Sequence, residues 1–193
     1  MPKKKYTGYI VGGILAVLIL YSIILYNSLV KKEEKVKQQW SEVQNTYQRR
    51  LDLIPSLVNT VKGVSGFEQG TLEKVAEARS STGLSATQIT ADNFKNQSRL
   101  QDSVAASVNR VILLVERYPA LKGTEAYAGL QVQLEGTERR IKVARNDFNE
   151  AIAAYNKKVR SFPANIIAGL TGFKKKEGFE AVGGSDKAVE IKF

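Results

Sequence analysis

Arg49, Arg50 and Asp52 share about one turn of sequence, and Glu138, Arg139, Arg140 and Arg145 share about two turns of a later stretch. A guanidinium presents a planar fork that matches a carboxylate through two parallel hydrogen bonds. The first chemistry implied is therefore an ion pair between two helices that sets their register. Burying such a pair adds little stability, because desolvation offsets the attraction. A second chemistry is an anion site, with the arginines holding a lipid headgroup or a polymer. A third is acid–base work on wall polysaccharide, which needs two carboxylates at a fixed separation, for instance Glu68 and Glu138. Nothing in the spacing singles out such a pair.

The rest of the inventory narrows these options. The chain has no cysteine and no histidine. That excludes a disulfide framework, a thiolate nucleophile and a Cys metal site, together with the commonest near-neutral base and metal ligand. No glycine-rich phosphate loop is present: Gly12-Gly13 falls within an apolar run and Gly183-Gly184 in the tail. The expectation is a non-enzymatic protein with no catalytic residue, cofactor, metal or small-molecule substrate.

Helical periodicity shows what positions the charged residues. Val36, Trp40, Val43, Tyr47, Leu51, Ile54, Val58 and Val61 are spaced by threes and fours, which places them on one stripe of a helix. Pro55 lies in phase within that helix, where a kink is expected. Gly63 suits the helix end, and Ser65 with Glu68 matches a capping box that opens a short second helix. Residues 82–91 read as a connection. A third helix, from about Asp92, carries Leu100, Val104, Val108, Val111, Ile112 and Val115, and Tyr118-Pro119 ends it. Thr124 can cap a fourth, long helix. Its stripe runs Tyr127, Leu130, Leu134, Thr137, Ile141, Ala144, Phe148, Ala151, Tyr155, Val159 and Phe162, with Gly129 and Gly136 near it as sites of close helix approach.

Between Lys5 and Lys31 there is no charged residue. As a helix those 25 residues reach roughly 37 Å, against about 30 Å of bilayer hydrocarbon. Tyr6, Tyr9 and Tyr26 lie near the two ends, as interfacial rings prefer. The run is too long for a signal peptide and lacks a small-residue cleavage site. Lys3, Lys4 and Lys5 favour an N-terminus inside, whereas Lys31, Lys32, Lys35 and Lys37 pull the other way, so charge alone leaves the orientation open.

The fold expected is all-α: a single N-terminal transmembrane helix followed by an antiparallel four-helix bundle with long first and fourth helices. The divisions are 1–30 for the basic flank and anchor, 31–162 for the bundle, and 163–193 for an apolar and basic membrane-proximal segment and tail. Short connections return the fourth helix toward the membrane, bringing Lys157, Lys158 and Arg160 to the pole of Lys31 and Lys32. Just beyond, Ile166, Ile167, Leu170 and Phe173, followed by Lys174, Lys175 and Lys176, either lie in the membrane interface or fold back to plug the bundle end. Net charge is +10 with a pI near 9.7. The lysines cluster near the bilayer and no nucleic-acid recognition motif appears, so no nucleic-acid partner is expected.

Several stretches, read together, resemble the bacterial LemA family. They are Tyr26-Asn27-Ser28-Leu29-Val30, Trp40-Ser41-Glu42-Val43 and the distinctive run YQRRLDLIPSLVNTVKG from Tyr47 to Gly63. Later matches are Glu116 to Lys122, Leu134 to Ile141, Ala144-Arg145-Asn146, Phe148-Asn149, Ala154-Tyr155-Asn156, and Ser161-Phe162-Pro163 onward to Phe173. The resemblance covers about residues 26 to 180. It implies an N-terminal transmembrane helix and an antiparallel four-helix bundle, and brings no assigned activity or catalytic residue. Some family members look like lipoproteins with a cysteine just before the Tyr-Asn; Leu25 stands there in this chain, so the helix itself must be the anchor. Those relatives favour a domain outside the cytoplasmic membrane. The function expected is a membrane-anchored scaffold or interaction module of the cell envelope, held to lipid by its anchor and partnered by a protein or by itself. The alternative is a peripheral envelope-stress or membrane-remodelling factor acting through anionic lipid, and a wall-polymer hydrolase ranks third.

Overall fold

A computed structural model describes residues 3–62, 69–81 and 91–179. Those residues form six α-helices and no strand: α1 (Lys3–Lys62), α2 (Gln69–Ser81), α3 (Ala91–Val115), α4 (Pro119–Lys122), α5 (Glu125–Arg160) and α6 (Ala164–Thr171). The expected capping box at Ser65 and Glu68 lies outside the described residues, as does most of the 82–91 connection.

α1 changes character along its 60 residues. From Gly8 to Ile24 its large apolar side chains face outward, Tyr9, Ile14, Leu18 and Ile24 among them. This part is long and apolar enough to cross a membrane. From Leu25 onward the helix is one-sided, with Leu25, Leu29, Val36, Trp40, Val43, Tyr47, Leu51, Ile54, Leu57 and Val61 buried. The stripe expected from the spacing is present, with Val58 at its half-buried margin and Leu53 and Leu57 widening it. The helix continues through Pro55, whose ring lies on the solvent side, where a missing backbone donor is least costly.

α5 packs along α1 in the opposite direction. Two apolar clusters record the register: Leu29 to Tyr47 of α1 share one with Ile141 to Val159 of α5, and Leu51 to Val61 share the other with Tyr127 to Leu134. α2 and α3 pack on each other and complete the second cluster through Leu72, Val75, Val104, Val108 and Val111. Thr124 caps α5, its hydroxyl oxygen accepting from the Tyr127 N–H at 3.3 Å.

Several expectations need correction. Pro119 opens a helix instead of only ending one; a proline at the first helical position gives up a donor that would be unpaired anyway. Phe162 does not continue the α5 stripe: the helix stops at Arg160 and Phe162 is 81% exposed. Among the described residues Gly129 and Gly136 do not mark close helix contacts, because a Cβ at either would meet none of them within 4 Å. The segment after Pro163 forms a helix of its own. α6 packs against both α1 and α5 with Ala164 and Ala168 buried, small side chains that let its backbone approach. Gly172, at φ 82°, ends it in the left-handed conformation that glycine adopts without penalty.

Candidate functional site

The two apolar clusters meet at a polar layer. On α1 the layer falls between Tyr47 and Leu51, and on α5 between Leu134 and Ile141. Arg50 is its centre, only 2% exposed. One guanidinium nitrogen, Nη1, donates to the Gln101 carbonyl oxygen at 2.8 Å and to Gln101 Oε1 at 3.4 Å; Nη2 donates to Glu138 Oε2 at 2.6 Å. α1, α3 and α5 are thus joined at one side chain. Gln101 is wholly buried, and the buried hydroxyl of Thr137 donates to its own helix at the Gln133 carbonyl, 2.8 Å away.

A second arginine completes the layer. Arg145 Nε donates to the Tyr47 hydroxyl oxygen at 2.9 Å, and its Nη2 to Asp102 Oδ1 at 3.0 Å. Burial works against the Arg145 charge, but Tyr47 and Asp102 outweigh it, so its pKa is raised. Burial likewise raises the Tyr47 phenol, with Arg145 opposing. Beside these pairs opens a cleft of about 460 Å³, lined by Arg50, Asp102, Glu138, Lys142, Arg145 and Asn149 among others.

The charged residues singled out from sequence are divided by the fold. Arg50, Glu138 and Arg145 meet in the layer. Arg49 is exposed and reaches Gln133 Oε1 at the outer limit of a hydrogen bond, 3.5 Å. Asp52 accepts from Gln48 Nε2, one turn back on α1, at 2.7 Å, and among the described residues it pairs with no other helix. Arg139 and Arg140 are exposed on the outer side of α5. Glu68, offered as an acid–base partner for Glu138, lies outside the described residues. Among the described residues no three His, Cys, Asp or Glu side chains converge as metal ligands would. Tyr47, Gln101 and Asp102 escaped the sequence reading; Tyr47 looked like one more core ring, and its hydroxyl partner lies 98 residues away.

The apolar and basic stretch from Phe162 to Lys176 is divided too. Ile166 and Leu170 are exposed, with Phe162 beside them in a four-residue rhythm. Ile167 and Phe173 pack inward on the cluster that Leu29 to Tyr47 share with Ile141 to Val159, and the Phe173 ring lies 5.8 Å from that of Tyr26. Lys174 and Lys175 are exposed, whereas Lys176 turns back to the body and pairs with Glu33 at 2.9 Å. Residues 173–179 have no regular secondary structure and follow the α1/α5 groove, touching Tyr26 and Glu33 on one side and Tyr155, Asn156 and Asn149 on the other. There the Tyr155 hydroxyl donates to the Lys174 carbonyl oxygen at 2.9 Å, and the Phe179 ring packs against Trp40 and Phe148.

Tyr155 provides a pH test of this packing. Burial, with Glu33 adding, pushes its phenol up to about 12 from 10.0. The folded state therefore favours the neutral phenol. That contribution is complete below pH 10 and is lost as pH rises through about 12. Thermal unfolding followed from pH 9 to 12 should show a steeper loss of Tm in the native chain than in Tyr155→Phe. Equal slopes would mean that the phenol is not held neutral by the fold.

The model of the LemA family matches residues 39–193. Magnetosome protein MamQ 2 of Paramagnetospirillum magneticum is 31% identical over 83 residues, 43% of this chain and 30% of that protein. Magnetosome protein MamQ of Magnetospirillum gryphiswaldense is 30% identical over the same shares. Protein LemA of Metamycoplasma hominis is 23% identical over 163 residues, 83% of this chain and 72% of that protein. The match thus spans less than a third of the length of the MamQ proteins.

Proposed function

The chain belongs to the LemA family, and from that premise we propose that it is a membrane-anchored, non-enzymatic interaction module of the bacterial cell envelope. In this reading α1, α2, α3 and α5 make an antiparallel four-helix bundle. It stands on the extracytoplasmic side of the cytoplasmic membrane, held by a single span, and its partner is a protein or another copy of itself.

The observation that carries the proposal is the continuity of α1. One helix offers a candidate span at its start and, without a linker, lines both apolar clusters from Leu29 to Val61. A domain built on the span itself holds a fixed tilt and height over the bilayer, which suits a surface that meets partners in a fixed orientation. The polar layer supports the same reading. Its two carboxylates, Asp102 and Glu138, are each engaged by an arginine, an arrangement suited to holding three helices in register. No relative named above carries an enzyme's name.

The second reading, a factor that acts on anionic lipid, is favoured by one feature. Phe162, Ile166 and Leu170 form an exposed apolar edge, and Lys157 and Arg160 are exposed nearby on the last turn of α5. We take this edge as a bilayer contact that steadies the module, since α6 rests on α1 where the span ends.

Compartment and association are testable in intact cells. Val132 is 70% exposed on α5, and the chain is free of cysteine, so Val132→Cys gives one reporter. A membrane-impermeant maleimide should label it before lysis, and amine-reactive cross-linking should trap discrete multimers. Labelling only after lysis would place the domain in the cytoplasm. Monomer alone, with no cross-linked partner, would end the module reading.

A further inference from the structure

The segment 173–179 is held in a way that suits recognition of an extended peptide. Asn156 takes both polar groups of one backbone residue: its Oδ1 accepts from the Lys176 N–H at 2.9 Å, and its Nδ2 donates to the Lys176 carbonyl at 2.8 Å. Asn149 does the same for Phe179, at 2.7 Å and 3.0 Å. Each asparagine amide imitates one rung of a β-ladder, so main-chain affinity comes without a sheet. The spacing matches the two chains. Seven residues of helix advance about 10.5 Å, and three residues of extended chain advance about 10 Å.

Side chains add selectivity at three positions. Lys176 Nζ meets Glu33 at 2.9 Å and lies 5.4 Å from the centre of the Tyr155 ring. Phe179 sits under the Arg145 guanidinium at 5.0 Å and edge-on to Phe148 at 5.6 Å. Between them Gly178 is required by space: a Cβ there would fall 2.5 Å from Asn149 Oδ1, an atom already committed to the Phe179 N–H. The groove therefore reads Lys-x-Gly-Phe in an extended strand.

We propose that this α1/α5 groove is a peptide-docking site whose partner is the 173–179 segment of a second copy of the chain, exchanged reciprocally between neighbours on the membrane. The segment hangs from Gly172, at φ 82°, a residue that can redirect the chain at little cost. Three residues, 173–175, separate Gly172 from the gripped Lys176, and extended they reach roughly 10 Å, which carries the segment to a groove on a helical body in side-by-side contact. In the partner's groove residues 176–179 make the same contacts as in their own, so exchange keeps both asparagine grips and the Lys176–Glu33 pair while adding an interface. Anchoring by α1 sets every groove at one height above the bilayer, which raises the effective concentration of the matching segment. The proposal names the partner that the interaction-module reading leaves open, and rests on that reading.

The test uses two full-length copies with different tags, one carrying Glu33→Cys and the other Lys176→Cys, co-expressed and treated in membranes with a short bis-maleimide. The expected product is a cross-linked species bearing both tags. Adding Gly178→Ala to the Lys176→Cys copy should cut its yield about tenfold, while helicity stays unchanged. No species bearing both tags, while a control chain carrying Glu33→Cys and Lys176→Cys together cross-links within itself, would overturn the exchange. If amine-reactive multimers persist in that case, the module reading stands without the exchange; if they are missing too, both readings fall.

Discussion

Trp40→Ala is expected to lower the free energy of unfolding by about 3–5 kcal/mol. The indole is 5% exposed, and its ring centre lies 5.4 Å from Phe148 and 6.3 Å from Phe179. Truncation removes a large apolar surface from the point where α1, α5 and the 173–179 segment meet. The surrounding rings are held by other contacts, Phe148 to Phe179 among them, and cannot close the void. In a domain of this size the change corresponds to a fall of about 10 °C in Tm. Because Trp40 is the sole tryptophan, the transition should be followed by far-UV circular dichroism, which the substitution leaves readable. An unchanged midpoint would show that α1 is not the surface on which the domain is organised.

Arg50→Ala should cost about 3 kcal/mol or more, and Glu138→Ala only about 1 kcal/mol. The two residues make one ion pair, but they stand in different surroundings. The Arg50 side chain is 3% exposed and that of Glu138 is 48% exposed. Without Arg50, a buried stem is lost and the Gln101 carbonyl and side chain lose their donor in a place shielded from solvent. Without Glu138, water replaces the carboxylate at the layer's open edge and Arg50 keeps Gln101. Urea unfolding of the two variants and the double variant measures both costs and their coupling. Equal costs for the two single variants would mean that the layer is uniformly buried or uniformly wet, and the register argument would lose its basis.

The apolar phase of the long helices was readable because burial repeats every three to four residues along one chain. Trp40, Tyr47, Phe148 and Tyr155 were all placed on the correct faces by that rule. It overshot at Phe162, where the rhythm continues in sequence while the helix has already ended. It could not read Gly129 and Gly136, since a glycine beside a stripe says nothing about what lies across from it. Longer-range contacts leave no periodic trace: Arg145 with Asp102 spans 43 residues, and Asn149 with Phe179 spans 30. One clue was present, the aromatic–asparagine pair repeated at Phe148-Asn149 and Tyr155-Asn156. Its meaning depended on an extended segment that has no periodicity of its own. α6 was missed as a helix because eight residues carry too little pattern to separate a helix from an apolar plug.

In the function proposed, the helical domain grows directly from the membrane span and rests α6 on the bilayer at the span's end. Single cysteines at Ile166 and Leu170, with Val132→Cys as the distant reference, allow spin labels to be placed in the full-length protein reconstituted in anionic vesicles. Power saturation with oxygen and a polar nickel chelate then reports depth at each site. The prediction is a label at 166 and 170 that favours oxygen, as in the lipid interface, and a label at 132 that favours the polar reagent. Three labels equally open to the polar reagent would contradict the claim and lift α6 clear of the membrane.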